Sequence, residues 1–480
     1  MSDKRWEIND VLLIGIFEDK YLMNQQDKNV LPDGMVDWIE SATSGRVVEI
    51  EPAVGAGVSR EGAYITLEKD GESLEAYLAY DVRRADDPSR SVWCRREVSA
   101  LRLAERHELR APRVLASWPE QRAILTRRLY AEVDLSHLDT ETLNLLAEDY
   151  IGEIVKLHLI PVADQELDGF GPVQPVDTWA RERTASLRTR HSLYDKDDPL
   201  FLLMYHWLEQ NIPTGDDIPT VVVHGDVGAA NFLHDGKQLV AVLDWEQSHF
   251  GDPMEDFAML SLRGALFPFV PLPLLLDAYE QQGGHPIDLK RIRYYRTLCT
   301  MGSFNDMHAQ LVQSQEPFAG NVGKVFTYYF ALMRLIVSGL SEAENIEPVP
   351  LELPDVSLMR WDRLYDLAVN ELENNIAPRC NDASSEHRAS TLIRLIHYWR
   401  GREQFGMAFD KAEREEIGVV LGSSFNSLEE ARAAFATAVK DQTISIPDAI
   451  RLCCARVARE ISVARPGLGP LADCQYPPLN

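Results

Sequence analysis

Between Val221 and Ala258, three polar residues have the types and spacing for chemistry on a phosphate. The apolar run Val221–Val223 reads as a short buried strand. It ends in His224-Gly225-Asp226, and Asn231 follows five residues after that aspartate. A turn at Asp235–Gly236 leads back through a second apolar run, Leu239–Leu243, to Asp244. Two strand ends therefore present a carboxylate, an amide and a second carboxylate close together. One carboxylate can accept or orient a hydroxyl proton, while the amide oxygen and the other carboxylate suit magnesium held against phosphates. Such chemistry rests on positioning and charge neutralisation, so few side chains are needed.

The elements that position these groups are legible in outline. Asp33–Ala42 has the pattern of a short helix, and Arg46–Pro52 of a strand. Tyr64–Glu68 and Ala76–Val82 flank Asp70–Gly71, a hairpin signal. Ser91–Arg106 reads as a helix with Val92, Val98, Leu101 and Leu103 apolar, and Pro112–Trp118 and Ala123–Leu129 read as two further strands. The order strand, strand, strand, helix, strand, strand predicts an antiparallel sheet with one packed helix. Residues 140–215 and 253–345 read as mainly helical.

The segment resembles the aminoglycoside phosphotransferase and choline kinase-like family, whose pattern is HGDxxxxN, a DWE-type triplet, then GDPxxDxA. Here the matching residues are His224-Gly225-Asp226, Asn231, Asp244-Trp245-Glu246, Gly251-Asp252-Pro253, Asp256 and Ala258. The resemblance implies an α+β, two-lobed protein-kinase-like fold, with a small antiparallel-sheet lobe and a mostly helical lobe. It implies ATP as co-substrate and magnesium as cofactor. Asp226 becomes the catalytic base, Asn231 and Asp244 the magnesium ligands, and Asp256 a brace for the catalytic loop, with His224 as structural support. His158 occupies the place of a family Leu-His pair and is read as structural. Gly225 and Trp245 stand where a protein kinase has Arg and Phe, which favours a small-molecule acceptor.

By the same resemblance, Gly55 to Glu61 is the loop that covers the ATP phosphates, with Gly57, Ser59 and Arg60 as contacts. Glu97 is the helix acid that pairs with a strand-three cation, and the adenine meets the backbone near Arg127–Tyr130. The sequence departs from the family in that third strand. Leu74–Val82 holds no Lys or Arg, and Tyr80 or Asp81 falls near the cation position. Either Arg83 or Arg84 substitutes, or the cation is missing and a non-catalytic pseudokinase results.

The whole chain sets bounds. Its 480 residues exceed one core, so two domains or a two-lobed domain plus one more is the expectation. With 75 acidic and 48 basic residues the formal net charge is -27, which disfavours nucleic acid and anionic membrane surfaces as partners. Six scattered cysteines without a CxxC pair, and an N-terminus unlike a signal peptide, suggest a reducing, cytoplasmic setting. No apolar stretch is long enough to span a membrane; the most apolar, Leu266–Leu276, is broken by prolines.

The expected divisions are an N-terminal extension over 1–30, the first lobe over 31–130 and the second over 131–345. A linker follows around Glu342–Pro354, then an all-α bundle over 355–465 and a coil tail over 466–480. In the bundle, Trp361, Tyr365, Tyr398 and Trp399 read as core, and Asp410 and Ser427 as N-caps. The bundle resembles a helical domain fused to or found beside a phosphotransferase branch linked with acyl-CoA dehydrogenases. That likeness implies a hydroxyacyl-CoA acceptor. The basic residues Arg181, Arg183, Arg188, Arg190 and His191 suit an anionic acceptor. The acidic surface would instead attract a cationic aminoglycoside, and a choline-type acceptor also stays open, as does a homo-oligomer or a protein contact through the bundle.

Overall fold

The computed structural model describes residues 31–53, 60–81, 89–163, 165–193, 197–312, 322–347, 350–356, 359–380 and 383–480. The 1–30 extension therefore lies outside the described residues. By contacts the chain divides into two units. One holds Met1–Pro175, Asp217–Ile287 and Pro478–Asn480, and the other Val176–Asp216 and Asp288–Pro477. The sequence boundary near 345 falls inside the second of these.

The first unit begins with helix α1, Met35–Thr43, and strand β1, Arg46–Pro52. Strands β2, Glu61–Lys69, and β3, Glu72–Tyr80, follow as a hairpin. Its two turn residues, Asp70 and Gly71, have φ of 54° and 82°, the doubly left-handed geometry of a two-residue turn matched to strand twist. Helix α2, Ser89–Arg106, precedes β4, Val114–Trp118, and β5, Ala123–Arg127. The sheet order is β1-β2-β3-β5-β4 with every pairing antiparallel.

Strand alternation sorts side chains between two faces. Ile65, Leu67, Leu78 and Leu125 join Met35 and Ile39 of α1 in one core. Ile124, one residue from Leu125, points the other way and joins Cys94 and Val98 of α2. The helix that bears Glu97 is thus packed on the sheet by its apolar stripe.

Helix α3, Thr140–His158, is capped by Asp139, whose side chain accepts from the Thr142 amide. Past the helical excursion into the second unit come four short strands: β6, Val221–Val223; β7, Phe232–His234; β8, Leu239–Val242; and β9, His249–Gly251. They pair as β6 with β9 and β7 with β8, both antiparallel. Helix α6, Pro253–Leu266, starts at the Asp252 cap, and α7, Leu272–Gln281, closes the unit. A small antiparallel sheet with one packed helix, then helices around two short strand pairs, is the kinase-like arrangement anticipated from the motifs.

The second unit is helical among its described residues. It contains α4, Val176–His191; α5, Pro199–Gln210; α8, Leu289–Val312; and α9, Val322–Ala343. Then come α10, Asp362–Glu371; α11, Ala383–Leu421; α12, Leu428–Lys440; and α13, Ile446–Leu468. Ser427 caps α12 by accepting from the Glu430 amide. Asp410 caps nothing; it lies inside α11 and pairs with Arg402. Trp361 and Trp399, expected as core, are each 57% exposed. Their periodicity is amphipathic, but the face they mark is not covered within this chain's described residues. The tail expected as coil over 466–480 starts inside α13, passes through a 3-10 turn, Gly469–Asp473, and only then becomes irregular, yet it is packed. Tyr476 bonds Thr300 at 2.5 Å, and Arg296 donates to the Pro477 carbonyl at 2.6 Å.

Candidate active site

Strand β6 delivers its chain into a turn that only one residue type fits. Gly225 has φ 82°, and a Cβ there would lie 2.5 Å from the Gln247 carbonyl oxygen. A side chain is barred by both backbone conformation and contact. Asp256, on the first turn of α6, accepts from the backbone amides of His224 at 3.0 Å and Gly225 at 2.8 Å. The buried His158 closes the network, with Nε2 at 3.0 Å from Asp256 and Nδ1 at 2.8 Å from the Tyr279 hydroxyl. Burial works to raise the Asp256 pKa. The hydrogen bond from His158, the nearby imidazole rings and the Gly225 amide outweigh it and hold the carboxyl below its ordinary range.

His224 is wholly buried. Its Nδ1 accepts from the Asp226 amide at 3.2 Å, so Nε2 carries the proton donated to the Leu243 carbonyl at 2.9 Å. Burial depresses its pKa against the pull of Asp256 and Asp226, which keeps the ring neutral in that tautomer. The ring thereby ties the Asp226 turn to the strand end that carries Asp244. Ser248 adds a bond to the His224 carbonyl at 3.2 Å.

The Asp226 side chain is gripped by Arg263 from the far end of α6. Arg263 Nε donates to Oδ1 at 2.9 Å, and Nη2 reaches both carboxylate oxygens. The loop between Asp226 and Asn231 is fixed by its own contacts. Asn231 Nδ2 donates to the Asp226 carbonyl at 2.6 Å, and Tyr150 accepts from the Gly228 amide at 3.2 Å. The Leu243 amide donates to the Asn231 carbonyl at 2.8 Å. These bonds gather Asp226, Asn231 and the approach to Asp244 into one constellation.

Asp244 sits in the left-handed region, φ 65° and ψ 57°, an uncommon place that Asp tolerates better than most residues. Its pKa is raised to about 7, first by burial and then by the neighbouring Glu246 and Asp226, against the opposing pull of Arg60. Arg60 is the cation of this pocket. Its Nη1 pairs with Glu97, and its Nη2 lies 3.1 Å from Glu246 and 3.8 Å from Asp244. Burial disfavours the Arg60 charge, but Glu97, Glu246 and Asp244 more than compensate and hold its pKa above the ordinary value. Glu97 is presented by α2, which Arg96 fastens through a 2.9 Å bond from Nε to the Gly169 carbonyl.

The register explains how a strand without a cation still faces one. Glu61 pairs with Tyr80 across the β2–β3 ladder. Arg60, one residue earlier, therefore stands beside the end of β3 where the family cation is sought. Asp81 is buried instead beside Arg122, at 3.8 Å. Gly55, Gly57, Ser59, Arg83 and Arg84 lie outside the described residues. Arg127 is exposed, and its amide already donates to the Arg113 carbonyl at 2.9 Å. Sequence reading named Glu246 only as part of the motif triplet, without a role, and overlooked Arg263 and Tyr150. Arg263 had a signal: it lies seven residues after Asp256, two turns along one helix face.

In the second unit the basic cluster of α4 is largely engaged. Arg181 lies 3.9 Å from Asp177, Arg190 lies 3.0 Å from Asp306, and Arg188 pairs with Glu209. His191 is 2% exposed, packed against Phe201 and His308.

Among the described residues no three His, Cys, Asp or Glu side chains are gathered to hold a metal by themselves. Magnesium does not demand that, because it keeps waters and takes phosphate oxygens beside one or two carboxylates. The donor set fits it: Asp244, the Asn231 amide oxygen and the nearby acids are hard oxygen ligands.

The family model described as "Phosphotransferase enzyme family" matches residues 53–295. Acyl-CoA dehydrogenase family member 11 of Homo sapiens is 25% identical over 169 residues, covering 33% of this chain and 20% of that protein. The Mus musculus protein of the same name is 33% identical over 113 residues, covering 22% of this chain and 14% of its own length. This chain thus spans a fifth or less of the length of these curated relatives. Among solved structures, a putative aminoglycoside phosphotransferase from Ralstonia eutropha has a TM-score of 0.49 at 16% identity, covering 65% of this chain and 98% of that one. Choline kinase LicA from Streptococcus pneumoniae has a TM-score of 0.44 at 16% identity, covering 65% and 100%. With its family model spanning half of the chain, the protein belongs to the phosphotransferase enzyme family.

Proposed function

We propose that the protein transfers the γ-phosphoryl group of ATP, with magnesium, to a hydroxyl of a small molecule. The observation that carries this reading is the stitched constellation of Asp226, Asn231 and Asp244, with Arg60 and Glu97 paired beside it. Asp226 would orient the acceptor hydroxyl and take its proton. The hydroxyl oxygen bonds phosphorus as the bond to the β–γ bridging oxygen breaks, and ADP leaves. Magnesium, held by Asn231 and Asp244, would neutralise charge on the phosphates. Arg60, oriented by Glu97, would supply the phosphate-facing cation that β3 lacks.

A hydroxyacyl-CoA is the favoured acceptor class. Support comes from the partial similarity to acyl-CoA dehydrogenase family members 11 and 10, which reaches only a fraction of those proteins. The test is ATP consumption and product phosphate analysis against hydroxyacyl-CoAs, aminoglycosides and choline. Turnover confined to hydroxyacyl-CoA supports the reading, and turnover with aminoglycoside or choline alone replaces the acceptor. In the active pair, Asp226→Asn should lower kcat by about 10³-fold or more, as expected for loss of a general base together with its orienting role. Nucleotide-induced thermal stabilisation without turnover on any acceptor would reject catalysis in favour of a pseudokinase.

A further inference from the structure

Arg263 belongs to none of the motif positions, yet it grips the carboxylate of Asp226 directly. Its fork engages both oxygens of Asp226, with Nε to Oδ1 at 2.9 Å and Nη2 to each oxygen. Its stem lies directly on the catalytic loop. A Cβ at Gly228 would be 2.7 Å from Arg263 Cγ and 2.9 Å from its Cβ, so residue 228 must be bare for Arg263 to lie there. The pair is not deeply sealed: the side chains of Arg263 and Asp226 are 30% and 13% exposed. Asp256 and Arg263 are two turns apart on α6. One helix face thus holds the backbone before Asp226 and the carboxylate of Asp226 itself.

We propose that Arg263 is a positioning residue for phosphoryl transfer. Its planar guanidinium fixes the plane of the Asp226 carboxylate. A carboxylate offers about four lone-pair sites, and three donated bonds leave one on Oδ2 for the acceptor hydroxyl. Without the fork, the carboxylate turns about its last torsion and the hydroxyl loses its alignment. Lysine, a single-point donor, cannot fix a plane in the same way. This inference rests on the kinase reading above.

The test compares wild type, Asp226→Asn, Arg263→Ala and Arg263→Lys with ATP, magnesium and whichever of the hydroxyacyl-CoA, aminoglycoside or choline acceptors is turned over. Arg263→Ala should lower kcat roughly 10²-fold, the scale of a misplaced reacting group. Its KM for ATP should stay within about twofold, because the fork's three bonds are spent on Asp226, the group assigned to the acceptor hydroxyl. Added guanidinium ion should restore part of kcat in Arg263→Ala and methylammonium should not, while Arg263→Lys should fall between Arg263→Ala and wild type. A purely structural bridge would instead lower the melting temperature and leave the loss unrescued by guanidinium, which overturns the proposal. So does an Arg263→Ala kcat near that of wild type while Asp226→Asn is inactive; that result leaves the kinase reading standing. Wild type without turnover on every acceptor defeats the kinase reading and this inference with it.

Discussion

Glycine at 225 is a steric requirement before it is a signature. Its absent side chain marks the turn as unlike that of a protein kinase, and the structure supplies the reason in the Gln247 carbonyl 2.5 Å from the missing Cβ. Gly225→Ala should lower stability by about 2 kcal/mol or more, the cost of a left-handed non-glycine residue plus contact strain, read as a shift in melting temperature. Arg60 is the second residue whose role depends on its neighbours. Placed between Glu97, Glu246 and Asp244, it is the cation of a crowded acidic pocket. Arg60→Ala should raise the KM for ATP by about tenfold, since a single phosphate-facing cation contributes on the order of 1.5 kcal/mol. An unchanged KM would assign the phosphate contact to another residue.

Helix α6 shows what one element contributes to several parts of a site. Asp252 caps it, Asp256 in its first turn holds two loop amides, and Arg263 in its last turn holds Asp226. Asp256 also faces the buried His158, so its removal leaves a buried polar ring and two amides without their acceptor. Asp256→Ala should therefore destabilise the fold by roughly 3 kcal/mol, as for a broken buried pair. It should also reduce kcat even at temperatures where the protein stays folded, measurable by activity alongside circular dichroism. The β2–β3 hairpin acts at the same scale. Its Asp70–Gly71 turn sets the register that brings Arg60 level with the end of β3.

Over the whole molecule, the second unit carries a pH liability in its core. Burial, then the neighbouring His308, lowers the His191 pKa to about 4, with Asp198 opposing. The ring is neutral in the folded state, whereas the unfolded chain protonates near the ordinary 6.5. As pH falls from about 6.5 to about 4 the unfolded state binds the proton first, so stability declines across that window and levels off below it. A His191→Phe variant should show a smaller drop in melting temperature between pH 6.5 and 4.5. The packed tail is the other whole-chain feature. Truncation after Asp473 removes the Arg334 bond to the Cys474 carbonyl together with the Tyr476 and Pro477 contacts, and should lower the melting temperature.

Local information determined much of this protein. Turn chemistry at Asp70–Gly71, strand alternation, the Ser427 cap and the tight run from His224 to Asp256 are short-range patterns whose meaning survives without neighbours. The kinase-like order of elements followed from them. Tertiary structure decided what depends on pairing across distance. Arg60 met Glu97 only through the β2–β3 register and the docking of α2. Arg263 met Asp226 only because α6 lies along the loop from Asp226 to Asn231. Trp361 and Trp399 have core-like spacing, yet helical periodicity reports which side is apolar and not what covers it. Asp410 has a capping side chain inside a helix that continued past it. In each case the residue type was visible in the chain, and its partner was set by long-range packing that no local window contains.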